Sequence, residues 1–267
     1  MNRVLSAIAK RLPAHAGDRA EEFLFGLRSF ETLQLPRTPA MTIICDDGEI
    51  ADLGVASVLD RHGVAGVFAV SPDLIGREGF LTYPQLRAIA AAGHEIAFHG
   101  TTHDPFTGFD GADRLLHACR DGVERLRQEQ LGAPGTLVYP FGKHNRWVRK
   151  AIAPLFGCAF TTWFGLNGGR VNRYAIRRVP FGAYTGRWTA NEAAYRGLIE
   201  RCAGSGEWLA LMLHPGAPEH GDEHNALLSR LIAFAKESGV TVRSAQSATG
   251  SCLSAKAGEQ GWPAKGS

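Results

Sequence analysis

Short apolar runs, separated by longer stretches with helical periodicity, organise this chain. The runs fall at Met41 to Asp47, Val64 to Val70, Glu95 to His99, Thr136 to Phe141, Cys158 to Phe164, Ala175 to Phe181, Trp208 to His214 and Val240 to Ser244. Most are near-continuous in Val, Ile, Leu, Phe and Ala, which is how strands buried on both faces of a parallel sheet read. Helical patterns lie between them over Pro84 to Ala92, Asp113 to Gln130, Arg146 to Phe156, Asn191 to Ala203 and Asn225 to Ser238. In the first of these, Pro84 suits an opening turn, Leu86, Ile89 and Ala90 share a face, and Gly93 ends the pattern. Repeated strand and helix units joined by right-handed crossovers predict an α/β fold, either a closed or nearly closed barrel or a doubly wound sheet.

Composition narrows the picture without deciding function. A chain of 267 residues, 45% hydrophobic and 21% charged, can bury one large core as a single barrel. The net charge of +3 is small and forms no basic blocks, which argues against a nucleic-acid partner. Five scattered cysteines with no paired spacing argue against a disulfide framework and a thiolate zinc site, and fit a reducing, cytoplasmic setting. The first residues begin apolar, but Lys10 and Arg11 interrupt them, so the segment reads as an amphipathic helix rather than an export signal. Such a helix could seat the protein at the inner face of a membrane or mediate a homodimer. The expected organisation is an N-terminal helical extension (1–38), one catalytic domain (39–247) and a polar, disordered tail (248–267).

Candidate chemistry sits at the C-terminal ends of three runs, where barrel enzymes place their catalytic groups. One run ends in Asp46, Asp47 and Gly48, another in His99-Gly-Thr-Thr-His103, and a third in His214-Pro-Gly. Two imidazoles four residues apart in a turn can converge on one point, and with a carboxylate they suit a borderline metal such as zinc with an open position for water. Neighbouring aspartates at a strand end can take different roles, one binding metal while the other takes a proton; a solvated Asp-Asp-Gly turn is the simpler alternative. A second pair, His220 and His224, has the same spacing among acidic residues and is a rival metal site, or else a polar loop at the mouth.

In order, Thr42-Ile-Ile-Cys-Asp-Asp-Gly48, Gly93-His-Glu-Ile-Ala-Phe-His-Gly-Thr-Thr-His103, Tyr139-Pro-Phe-Gly142 and Leu213-His214 resemble the motifs of the polysaccharide deacetylases, the carbohydrate esterase group with a NodB-like domain. The resemblance implies a distorted (β/α)7 barrel. It implies that Asp47, His99 and His103 hold a divalent metal, usually Zn2+, and that Asp46 is the general base. The backbone N–H of Phe141 would face the oxyanion, with Tyr139 in the same motif, and His214 would protonate the leaving amine.

The substrate implied is an N-acetylated oligo- or polysaccharide, or its lipid-linked precursor, in exopolysaccharide or envelope synthesis. NodB-like domains also serve smaller amide substrates, and a non-catalytic carbohydrate-binding relative is a third class. Two positions depart from the family pattern. The arginine that usually opens the third motif is replaced by Val138 and Tyr139, so Asp46 needs another cation, for which Arg178 is the candidate. In place of a clear fourth motif stands Trp163, which could stack on a sugar or pack in the core.

Overall fold

A computed structural model describes residues 31–182, 191–218 and 220–250. Seven parallel strands form its centre: β2 (Ala40–Cys45), β3 (Val67–Val70), β4 (Glu95–Phe98), β5 (Thr136–Val138), β6 (Cys158–Phe164), β8 (Ile176–Pro180) and β9 (Trp208–Leu213). They pair in that order, and β9 returns to pair with all of β2, Ala40 to Cys45 against Trp208 to Leu213, so the sheet closes into a barrel. The expected distortion is visible at two seams. The pair β4–β5 is joined at Phe98 and Leu137, and β6–β8 slips register between Phe160 and Phe164. A short strand β10 (Thr241–Val242) pairs with Ala40 and Met41 of β2, while β3 pairs with Ile44 and Cys45.

Each buried strand divides its residues between two cores. Met41, Ile43 and Cys45 of β2 pack outward among helix residues, whereas Ala40 and Ile44 pack inward with Val67, Ala69, Ala97, Phe160 and Ala210. Continuous hydropathy thus conceals an alternation of period two. Many inward residues are alanine because a seven-stranded ring leaves little room at its axis.

The outer layer contains α1 (Asp52–His62), α2 (Tyr83–Ala91), α3 (Ala112–Gln128), α4 (Arg146–Ile152), α5 (Glu192–Ser205) and α6 (Asp222–Glu237). The sequence pattern misses α1 because Gly54, Val55 and Val58 lower its helical propensity and its N-cap, Ala51, offers no side-chain acceptor. Burial of Val55, Val58 and Leu59 on one face holds it in place.

Two expected boundaries move. Residues 31–38 are part of the barrel's base rather than a helical extension: β1 (Thr32–Gln34) pairs antiparallel with β7 (Arg170–Asn172), Leu33 and Leu35 join the inner core, and Glu31 makes a buried 2.7 Å ion pair with Arg149. Nor does the polar tail begin at 248. A last helix, α7 (Ala245–Thr249), buries Ala245 and Ala248 in the barrel interior. The amphipathic helix expected near the N-terminus and the rest of the tail lie outside the described residues.

At this base, Glu95 begins β4, receives the Thr136 hydroxyl and accepts from the Gln246 backbone N–H at 2.9 Å, so it caps the start of α7. Glu95→Ala would leave those buried donors unpaired at roughly 1–3 kcal/mol each. At about 2–4 °C per kcal/mol for a domain of this size, the melting temperature should fall by about 4–24 °C. An unchanged melting temperature by calorimetry would show that α7 is held without Glu95.

Candidate metal centre and catalytic site

Interior places at the C-terminal ends of the strands belong to Asp46 after β2, His99 after β4, Arg178 on β8 and His214 after β9. Asp46 and Arg178 are buried, and Arg178 Nη1 donates to Asp46 Oδ1 at 2.6 Å while its Nε donates to the Thr161 carbonyl at 2.8 Å. The two hydrogen bonds fix the guanidinium plane, which a lysine could not reproduce. The other oxygen of Asp46, Oδ2, lies 3.7 Å from His214 Nε2.

Beside this pair, Asp47 Oδ1 stands 3.2 Å from His99 Nε2 and 3.1 Å from His103 Nε2. The three ligand atoms lie within 4.8 Å of one another and can hold a metal ion. Chemistry supports the fit. His99 Nδ1 is 2.8 Å from the Val138 carbonyl, which has no proton to give, so Nδ1 carries the hydrogen and Nε2 turns its lone pair toward Asp47. Two acceptors then face each other across 3.2 Å, and Asp47 Oδ1 is buried with no hydrogen-bond partner among the described residues. A cation between them removes the repulsion. Tetrahedral ligands bound at ~2.0–2.2 Å stand roughly 3.3–3.5 Å apart, close to the spacings here. Burial acts to raise the Asp47 carboxyl, but His103 leads the groups that outweigh it and hold the carboxyl well below the usual carboxylate range. For His214, burial lowers the imidazolium, against the opposing pull of Asp46 and Asp47.

The backbone is strained where the chemistry converges. Among the described residues, positive φ at non-glycine positions occurs at Asp47 (76°), His103 (66°), Gln130 (64°) and Phe141 (56°), and three of these four stand at the site. Phe141 occupies a 3-10 turn (Pro140–Gly142) that ends the expected fourth run early, because Pro140 has no N–H for a ladder. At Gly142, with φ 65°, a Cβ would meet the Thr162 hydroxyl at 2.4 Å, so only glycine lets the turn lie against β6. The Phe141 ring is exposed, its centroid 4.7 Å from that of His103, and its backbone N–H takes no partner among the described residues.

Not every expected residue reaches the mouth. Val138 takes the inward place on β5, so Tyr139 faces outward, is fully buried, and donates its hydroxyl to the Tyr174 carbonyl at 3.1 Å. It supports the turn from behind rather than meeting substrate. Trp163 is also buried, 5.0 Å from the His144 ring, and the exposed aromatic at that strand end is Phe164. Sequence reasoning passed over Phe164 and Thr161; only the place of Phe164 at the end of its run could have signalled it. The second histidine pair does not assemble a metal cluster among the described residues. His220 and His224 stack at 5.0 Å; His224 Nδ1 accepts from the Gly221 N–H at the start of α6, and His220 pairs with Asn225.

Residues 36–155 match the family model for polysaccharide deacetylases. No curated protein matches the chain. Among solved structures, the chitin deacetylase of Colletotrichum lindemuthianum is 16% identical, covering 83% of this chain and 92% of that one with a TM-score of 0.62. A family 4 carbohydrate esterase from Streptomyces lividans is 16% identical over 76% of this chain and 91% of its own, TM-score 0.56. A CE4 family pseudoenzyme from Bacillus anthracis is 12% identical over 80% and 66%, TM-score 0.58. At such identities the likeness is one of fold, the distorted seven-stranded parallel barrel. The matched segment takes in Asp47, His99 and His103, so the family resemblance and the candidate metal cluster fall on the same residues.

Losing the outer support of a metal-binding histidine typically costs ~10–100-fold in affinity, and losing the ligand itself should cost more. His99→Ala and His103→Ala should therefore each strip the ion during dialysis. Unchanged metal stoichiometry by elemental analysis would rule out this centre.

Proposed function

We propose that the protein is a metal-dependent N-deacetylase acting on N-acetylated amino sugars of the N-acetylglucosamine type, in a polysaccharide or its lipid-linked precursor. The observation that carries the reading is the pairing of an Asp-His-His cluster with an adjacent, separately held carboxylate. Asp47 faces the two imidazoles, while Asp46 is turned away from them by its bond to Arg178. A pseudoenzyme with this fold shows that fold alone does not make a catalyst, so the side chains must.

Asp47, His99 and His103 would hold the ion, most suitably Zn2+ for an imidazole and carboxylate set. When bound, such an ion supplies an acidified water and polarises a carbonyl. Asp46, oriented by its hydrogen bond from Arg178, accepts the proton of the attacking water. The Phe141 N–H donates to the oxygen that becomes negative as water adds to the acetamide carbon. His214, on the opposite side of Asp46 from Arg178, donates a proton to the amine nitrogen as the C–N bond breaks, releasing acetate and the free amino sugar. Exposed Phe141 and Phe164 offer apolar faces at the mouth to a pyranose ring. We assign the activity to exopolysaccharide or envelope synthesis at the cytoplasmic side of a membrane. No helix among the described residues is long and apolar enough to cross one.

Acetate release from N-acetylglucosamine oligomers tests this directly. The rate should rise with chain length; equal rates on the monosaccharide would point to a small-amide hydrolase, and no release from any oligomer to a non-catalytic relative. Asp46→Asn should retain the metal and lose about 10²–10⁴-fold in kcat, the span of a general base. Arg178→Lys keeps the charge but not both hydrogen bonds, and should lower kcat with metal content intact; a wild-type rate would remove Arg178 from the mechanism.

A further inference from the structure

The loop that carries Asp46 and Asp47 meets the neighbouring loop that carries His214 through Glu49. The backbone of Glu49 is pinned: it bridges Phe80, its carbonyl accepts from the Asp52 N–H at 3.0 Å, and neighbouring Ile50 donates to the Gly79 carbonyl at 2.8 Å. From this fixed point the carboxylate extends to Gly216, whose backbone N–H donates to it. Contact is so close that a Cβ on Gly216 would stand 1.6 Å from Glu49 Oε2, 2.3 Å from Cδ and 2.9 Å from Oε1. Gly216 has no left-handed φ, so its backbone conformation does not demand glycine. The Glu49 carboxylate fills the place a side chain would take, so a side chain at 216 would displace that carboxylate from the turn. The same turn is tied to His214, whose carbonyl accepts from the Ala217 N–H at 3.1 Å.

We propose that Glu49 is a positioning residue, a latch that grips the turn at Gly216 and so fixes His214 against Asp46. This rests on the reading of His214 as the group that protonates the leaving amine. A 3.7 Å separation between His214 Nε2 and Asp46 Oδ2 leaves no slack, since both must address one substrate. The two loops follow strands β2 and β9, whose pairing ends at Cys45 and Leu213; beyond it the Asp46 N–H still reaches the Leu213 carbonyl at 2.9 Å. Past that bond, Glu49 joins Asp46 and Asp47, whose carboxylates lie 3.7 and 3.9 Å from His214 Nε2, in spanning the two loops.

A double-mutant cycle on the zinc-loaded protein tests the latch. Glu49→Ala and Gly216→Ala should each lower kcat by about 10–100-fold, as small misplacements of a catalytic group do, with KM and metal stoichiometry unchanged. In the Glu49→Ala background Gly216→Ala should cost nothing more, because the space it needs is already vacated. Glu49→Gln, whose amide oxygen can still accept from Gly216, should restore kcat to within about twofold, on the same logic of a retained hydrogen bond. The imidazole ring signals of His214 in NMR spectra should shift in both alanine variants and not in Glu49→Gln. Additive losses in the cycle, loss of metal, or unmoved His214 signals would overturn the latch. If His214→Ala itself turns over normally, the reading of His214 has failed; if it is inactive while Glu49→Ala is not, the latch alone has.

Discussion

Closure of the ring along β2 and β9 is the constraint from which the site follows. Six consecutive residues of β2 pair with six of β9, so the ends of the two strands emerge side by side. Once the ring is closed, each strand residue can point only to the narrow interior or to the layer beneath the helices. Asp46, His99, Arg178 and His214 take interior places at the open end, where the axis is too narrow to keep them apart. A buried carboxylate and a buried guanidinium in so apolar a setting are tolerable only as a bonded pair. The arrangement is thus self-consistent: the barrel brings the charges together, and each makes the burial of the other affordable.

The division of labour between the adjacent aspartates also comes from this geometry. Asp46 continues the inward register of β2 and meets Arg178. Asp47 leaves the strand through a left-handed backbone conformation, which swings its carboxylate to the imidazoles instead. Strain at Asp47, His103 and Phe141 is held by the packing around each turn, among it the glycine at 142 against β6. Residues poised in such conformations lose little further freedom when a ligand arrives.

At the other end of the barrel, β1, α7 and the Glu31–Arg149 ion pair close the base. These pieces are short, and each is stable only against the ring. Their shortness explains why the strand at 32–34 and the helix at 245–249 escaped a reading based on pattern: a three-residue strand or five-residue helix carries too few positions for periodicity to register.

By itself the sequence determined the parallel α/β plan, most helices, and the residue types at three strand ends, because hydrophobic runs, caps and motif spacing are local properties of the chain. It also required a cation for Asp46 once the usual arginine was absent, and Arg178 was legible as a candidate from its place on a strand. What only the tertiary structure decided is which way each side chain faces. Tyr139 and Trp163 sit beside functional positions in sequence but point away from the mouth, since neighbouring strand residues face opposite sides. Gly216 and Glu49 are far apart along the chain, and nothing in either segment announces their contact. Inside or outside is set by ring closure and strand register, long-range pairings that no window of sequence contains.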